Sequence, residues 1–214
     1  LVNTGGFSAE ELKDIEEKAY GLGVVSHVTL DVVEKYYNDC IRYMVFGNVL
    51  KNNTYPLSVS AERTIQAQEI AKYAIEIDAY AIAHGSTGAG NDQVRFDLIF
   101  QVMCPNVEII TPIRDKALSR EEEIEFLKSH GYEMEFQKAQ YSVNKGLWGT
   151  SVGGKETLTS RNYLPEEAFP SQIKENQPSD LEIEFKNGEV VSVNGENFEH
   201  PVYAIQKIEE LASV

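Results

Sequence analysis

Apolar and polar positions along the first two-thirds of the chain change period repeatedly, and each change marks an element. "SAEELKDIEEKAY" places Glu11 three residues after Ser8, which predicts a helix opened by a reciprocal capping box. "GVVSHVTLDV", Gly23 to Val32, is an apolar, β-branched run and predicts a buried strand. "VVEKYYNDCIRYMVFGN" returns to helical spacing, with Val33, Tyr36, Tyr37, Cys40 and Met44 on one face. The paired asparagines and Pro56 of "NNTYPLSVS" break it. A helix follows over "AERTIQAQEIAKYAIEI", which Ser60 is placed to cap, and then a strand over "DAYAIAH". The next helix, from Asn91 or Asp92, is expected to turn Val94, Leu98 and Val102 inward. "NVEIITPIRD" predicts another strand, and Ser119 with Glu122 a second capping box before "REEEIEFLKSH".

Strand and helix in alternation, with apolar strands, argue for an α/β fold: a mainly parallel sheet covered on both sides, in three layers. Near residue 138 the rhythm changes. "YSVNKGLWGTSVGGKE" is rich in small residues and holds the single tryptophan, Trp148. "LEIEFKNGEVVSVNGENF" alternates apolar and polar around Asn187-Gly188, a hairpin signal, and Pro201 opens a last helix. The expected division is therefore an α/β domain over 1–138 and part of an α+β domain over 139–214. The opening "LVNTGG" reads as the tail of a strand and lacks Met, so the chain is expected to be a piece of something longer.

Composition narrows the functional classes. Of 214 residues, 42% are hydrophobic and 25% charged, as in a globular chain. The formal net charge of −15, with no cluster of Lys and Arg, argues against nucleic acid as a partner. Cys40 and Cys104 sit in apolar surroundings without metal or redox spacing and are expected to be buried, reduced thiols of a cytoplasmic protein. No stretch reaches the ~18 apolar residues of a membrane span.

The densest chemistry lies in "AHGSTGAGNDQVRFD", where Gly85, Gly88 and Gly90 directly precede a helix. In an open α/β sheet, ligands bind beyond the carboxyl ends of strands, and a helix start there offers free N–H groups. Thr87 and Asn91 are placed to hydrogen-bond a polar ligand, Asp92 to hold an ammonium, and Arg95 to clamp a carboxylate. Asp92 and Arg95 are three apart, so one helical turn presents both signs, which suits an amino acid. A plain glycine-rich loop followed by a surface ion pair accounts for the same residues. The order of glycines is neither a Walker A loop nor a dinucleotide fingerprint. His27, His84, His130 and His200 show no metal spacing.

"HGSTGAGNDQVRF" resembles the central signature of the argininosuccinate synthase family. Three further blocks follow the family in the right order: "GNVLKNNTYPLSVSAER", "SREEEIEFLKSHG" and "YSVNKGLWGTS". The resemblance implies an adenine-nucleotide α-hydrolase-like fold of ATP-pyrophosphatase type, followed by the start of a synthetase α+β domain. It implies an ATP-dependent C–N ligase of arginine biosynthesis. There the ureido oxygen of citrulline attacks the α-phosphate of ATP, and the amine of aspartate then displaces AMP. By the same resemblance Gly85 contacts ATP through its backbone, and Thr87, Asn91 and Asp92 bind aspartate. Tyr55, Ser60, Asn91, Arg95, Ser142 and Ser151 bind citrulline, and a nucleotide contact falls near Val2. Mg2+ bound with ATP, a cytoplasmic location and a homotetramer are further implications, while no residue stands out as a general acid or base. The family's Ser-Gly-Gly-x-Asp-Ser/Thr-Ser pyrophosphate loop and its C-terminal part are not found here. The chain is thus expected to be an inactive middle segment of such an enzyme. Two other readings of the residues stay open: another adenylating ATP-pyrophosphatase, and a non-catalytic small-molecule-binding module.

Overall fold

The structure, a computed structural model, describes residues 1–88, 90–132, 141–173 and 177–212. In chain order it forms β1 (Val2–Asn3), α1 (Ala9–Gly21), β2 (Leu30–Asp31), α2 (Val33–Tyr36), α3 (Arg42–Phe46), α4 (Ser58–Glu76) and β3 (Ala81–Ala83). Then follow α5 (Asp92–Met103), β4 (Glu108–Ile110), α6 (Pro112–Lys116), α7 (Arg120–Ser129), β5 (Ser142–Gly146) and β6 (Gly149–Gly153). The last elements are β7 (Ile183–Lys186), β8 (Glu189–Val193), β9 (Glu196–Asn197) and α8 (Pro201–Ala212). β1 pairs with β2 and β3 with β4 in parallel, whereas β5–β6 and β7–β8–β9 are antiparallel. Parallel pairs separated by helices make the first part α/β; hairpins and a closing helix make up the last.

The chain divides into two compact units, Leu1–Val59 with Ser142–Val214, and Ser60–Tyr141. This grouping differs from the linear division expected from composition, whose boundary at 138/139 lies outside the described residues.

In the first unit, α2 and α3 are one continuous helix with a π-helical turn over Tyr37–Ile41. Val33, Tyr36, Tyr37 and Ile41 are buried on it, while Cys40 is only half-buried. Tyr36 donates its hydroxyl to the carbonyl of Ser58 at 3.0 Å, and Tyr37 donates to Glu189 at 3.1 Å. Burial, followed by the Glu189 charge, pushes the Tyr37 phenol up to about 12. Asn187 and Gly188, both at positive φ, form the tight β7–β8 turn, which packs on the ring of Phe46. Gly6 is required by crowding: a β-carbon there would sit 2.1 Å from the carbonyl oxygen of Lys145.

The run over 23–32 does not form the buried strand expected. Only Leu30–Asp31 is strand, with the Leu1 amine donating to the Val28 carbonyl at 2.8 Å. Val25 is fully exposed. Val24 still bonds back to the carbonyl of Ala19 in the cap of α1, so the β-branched residues there follow a helix end and have no ladder to join.

The second unit has its core between α4, β3 and α5. Ala67, Ala71 and Ala74 let α4 come close to Ile82, Phe100 and the buried Cys104, with Phe96, Ile99 and Met103 packed around them. Burial raises the Cys104 thiol. α5 thus faces the core with its aromatic stripe, and the expected stripe is outside: Val94 is 60% exposed, Leu98 59% and Val102 71%. Both stripes have helical spacing, and the larger rings win the contact with the alanine face of α4. Ser60 does not cap α4, which begins two residues earlier at Ser58.

Candidate functional site

β3 ends at Ala83, and the His84 amide extends its pairing with a bond to the Ile110 carbonyl at 3.1 Å. The glycine turn therefore lies at a strand's carboxyl end, as expected for an α/β site. Neither Gly85 nor Gly88 adopts a positive φ. Among the described residues, a β-carbon on Gly85 would approach nothing nearer than Ile113 at 3.9 Å, and on Gly88 nothing nearer than Arg114 at 3.9 Å. Neither backbone conformation nor internal crowding calls for glycine here, in contrast to Gly6. What the missing side chains leave is open space over the backbone, the condition for close approach by a ligand.

Just beyond, Asn91 stands as N-cap of α5 at φ −90° without using its side chain to cap. In the first turn, Arg95 donates to Asp92 at 2.6 Å and to the Ser60 hydroxyl at 2.9 Å. The other Asp92 oxygen accepts from Arg63 at 3.2 Å, and Arg63 also reaches Gln66 at 2.9 Å. One carboxylate thus lies between two guanidiniums, a cluster of both signs at a helix start. Thr87 is exposed in the turn. Arg63 joins Ser60, Asp92 and Arg95 in this cluster and was not among the residues expected there; its place one turn beyond Ser60 on the same helix was the available signal.

A second cluster, also missed, supports the turn from behind. Asp97 accepts from His84 Nε2 at 2.8 Å and from Arg114 at 2.6 Å. Because the Ser86 amide donates to His84 Nδ1 at 3.3 Å, the ring proton is on Nε2. Burial alone would raise the Asp97 carboxyl, yet the hydrogen bonds from His84 and Arg114, together with the Arg114 charge, outweigh it and hold the group below its ordinary range.

Tyr55, Ser142 and Ser151 belong to the other compact unit. Tyr55 accepts the Val59 amide on its hydroxyl at 3.3 Å and pairs with Lys51 through its backbone. In the β5–β6 hairpin Ser142 faces Gly153 and Ser151 faces Asn144, so both serines lie on one face of the ribbon. Val2 is buried in β1. Among the described residues no three His, Cys, Asp or Glu gather to hold a metal ion. Asp92 and Asp97, the carboxylates at the turn, are both bonded to cations and make a poor donor set for Mg2+. No helix among the described residues is long and apolar enough to cross a membrane.

Comparison with known proteins bears on the same residues. Residues 1–133 match the family described as "Arginosuccinate synthase N-terminal HUP domain". The chain is 39% identical over 210 residues to an argininosuccinate synthase of Methanocaldococcus jannaschii, covering 97% of this chain and 53% of that protein. A Saccharolobus solfataricus protein of the same name is 39% identical over 192 residues, 89% of this chain and 49% of its own length. One from Lactococcus lactis is 35% identical over 195 residues, again 89% of this chain and 49% of that protein. The chain spans about half the length of the curated relatives it matches.

Proposed function

Because the chain belongs to the argininosuccinate synthase family, with an N-terminal HUP domain of α/β fold, we propose that the full-length protein joins citrulline to aspartate with ATP. In this reading the ureido oxygen of citrulline attacks the α-phosphorus of ATP, and pyrophosphate leaves with the electron pair. The amine of aspartate then attacks the activated ureido carbon; AMP departs and the nitrogen loses a proton, giving argininosuccinate.

The observation that carries this reading is the pairing of Arg95 with Asp92 and Ser60 beside glycines that nothing among the described residues requires. Such a site suits a substrate carrying one charge of each sign. The Arg95 fork exchanges Asp92 for the carboxylate of citrulline, helped by Ser60 and Asn91. Tyr55, Ser142 and Ser151 are taken as further citrulline contacts on the family resemblance alone. Asp92 stays anchored by Arg63 and is released to meet the ammonium of aspartate together with Thr87 and Asn91. The backbone at Gly85, with a further contact near Val2, lies against ATP. Mg2+ comes with ATP, since phosphates and water are its preferred ligands. The chemistry asks for alignment and charge stabilisation at phosphorus, and these residues supply alignment. A cytoplasmic homotetramer with domains meeting near residue 138 belongs to the same proposal.

Omitting each substrate in turn from an assay of the full-length protein tests it. Argininosuccinate and pyrophosphate should form only with ATP, citrulline and aspartate together, and 18O in the ureido group should appear in AMP. Adenylation of a different acceptor would point to another ATP-pyrophosphatase. Binding of the small molecules without turnover would leave only a binding module.

A further inference from the structure

The glycine turn is stapled at Ser86 and at the carbonyls of Gly88 and Gly90, and these staples meet at one ion pair. At its start, the Ser86 amide is held by His84 Nδ1, and His84 is oriented by its Nε2–H bond to Asp97. Farther on, the side-chain amide of Gln93 donates to the carbonyls of Gly88 at 2.7 Å and Gly90 at 3.2 Å. Gln93 can present its NH2 to the turn because its oxygen accepts from Arg114 at 3.2 Å; a guanidinium has only donors, so it fixes which way the amide faces. Arg114 binds Asp97 with the same nitrogen and reaches Thr111 at 3.1 Å with another, and Thr111 is itself buried. The planar fork thus joins α6, α5 and the residue after β4. No ligand role attaches to these side chains in the reaction proposed above.

We infer that Asp97 and Arg114 are positioning residues for the glycine turn, setting the affinity for ATP and aspartate and leaving citrulline binding alone. The selectivity follows from connectivity. Gly85 and Thr87 hang on the Asp97–Arg114 node, whereas Arg95 is held from α4 through Ser60 and by its own neighbour Asp92. Loosening the node therefore costs the turn its fixed geometry without unhooking the citrulline clamp.

This rests on the proposed ligase function, and the test separates the two. In the full-length protein, Arg114→Ala should raise the KM for ATP and for aspartate by about tenfold each, the loss of roughly one charge-assisted bond's worth of alignment, with the citrulline KM within about twofold. Arg114→Lys keeps the charge but not the fork, so it should recover part of the loss. Asp97→Asn should behave like Arg114→Ala and serves in its place if that variant does not fold. Amide exchange at Ser86 should accelerate in both loss variants. A citrulline KM that rises in step with the other two, or a lowered melting temperature with all three constants unmoved, overturns the inference. If the wild-type protein makes no argininosuccinate, the proposed function fails. Exchange at Ser86 then decides alone: faster exchange in the variants upholds the role of the node, unchanged exchange removes it.

Discussion

Arg95 illustrates how a single side chain can be held ready for a substrate by an internal stand-in. Its guanidinium already grips a carboxylate, Asp92, with one nitrogen and a hydroxyl, Ser60, with the other. Arg95→Ala should therefore raise the citrulline KM by about 10- to 100-fold, the range for losing hydrogen bonds to a charged group, and Arg95→Lys should restore only part of it. Steady-state kinetics with citrulline varied checks this. Asp92→Asn removes the anion between Arg63 and Arg95, so aspartate use should fall while the KM for ATP stays in place. A fall in ATP affinity with normal aspartate dependence would assign Asp92 to the phosphate side. Asp92 and Arg95 were legible in sequence because one helical turn links them. Arg63 lies 29 positions from Asp92 and His84 13 from Asp97, and such pairings form only once α4, β3 and α5 pack.

At the scale of elements, what was local in sequence was readable. The Ser8–Glu11 and Ser119–Glu122 capping boxes are both formed, with each amide bonded to the partner side chain, because four consecutive residues specify them. The Asn187-Gly188 turn is likewise where the dipeptide put it. The inward face of α5 was not readable, since Val94, Leu98 and Val102 repeat as well as Phe96, Ile99, Phe100 and Met103, and the choice is made by α4. The helix from Val33 to Phe46 owes its attachment to the β7–β8 hairpin to distant partners as well, Tyr37 and Arg42 meeting Glu189. This contact has a pH signature. The Tyr37 phenol is raised to about 12 in the folded protein, above its ordinary 10.0, so the folded state favours the protonated form. Its contribution to stability is complete below pH ~10 and lost as pH rises through ~12. Thermal melts across that window should show an alkaline fall that Tyr37→Phe flattens, and an unchanged slope would remove Tyr37 as its source.

For the molecule as a whole, the acidic balance and the candidate site pull in opposite directions. The formal charge is −15, with 19 Lys and Arg against 34 Asp and Glu. Yet Arg63, Arg95 and Arg114 all bond α5 within its first two turns, each to an aspartate. A small anion can exchange with those aspartates, whereas a polyanion meets the field of the whole surface. The protein should accordingly fail to retard duplex DNA in a gel at ~0.1 M salt; retardation that weakens with added salt would reveal a basic face absent from the sequence pattern. The α/β class was legible from alternating elements, while the grouping of residues 1–59 with 142–214 was not, because contacts such as Tyr37–Glu189 join stretches far apart in the chain.

The open space above Gly85 and Gly88 separates two kinds of selection that usually act together. A residue kept for the fold is penalised when folding is scored, but an alanine at Gly88 meets only ordinary contacts and an allowed φ. It also narrows the unfolded ensemble, so Gly88→Ala should stabilise the protein by about 0.4–1 kcal/mol. The same methyl group occupies the ground a bound substrate would need, so turnover should drop as the melting temperature climbs. A screen of variants by abundance would rank this substitution among the beneficial ones, and a growth screen that depends on the enzyme's product would rank it among the harmful. Sorting one library both ways would mark the ligand-facing backbone without a ligand ever being seen.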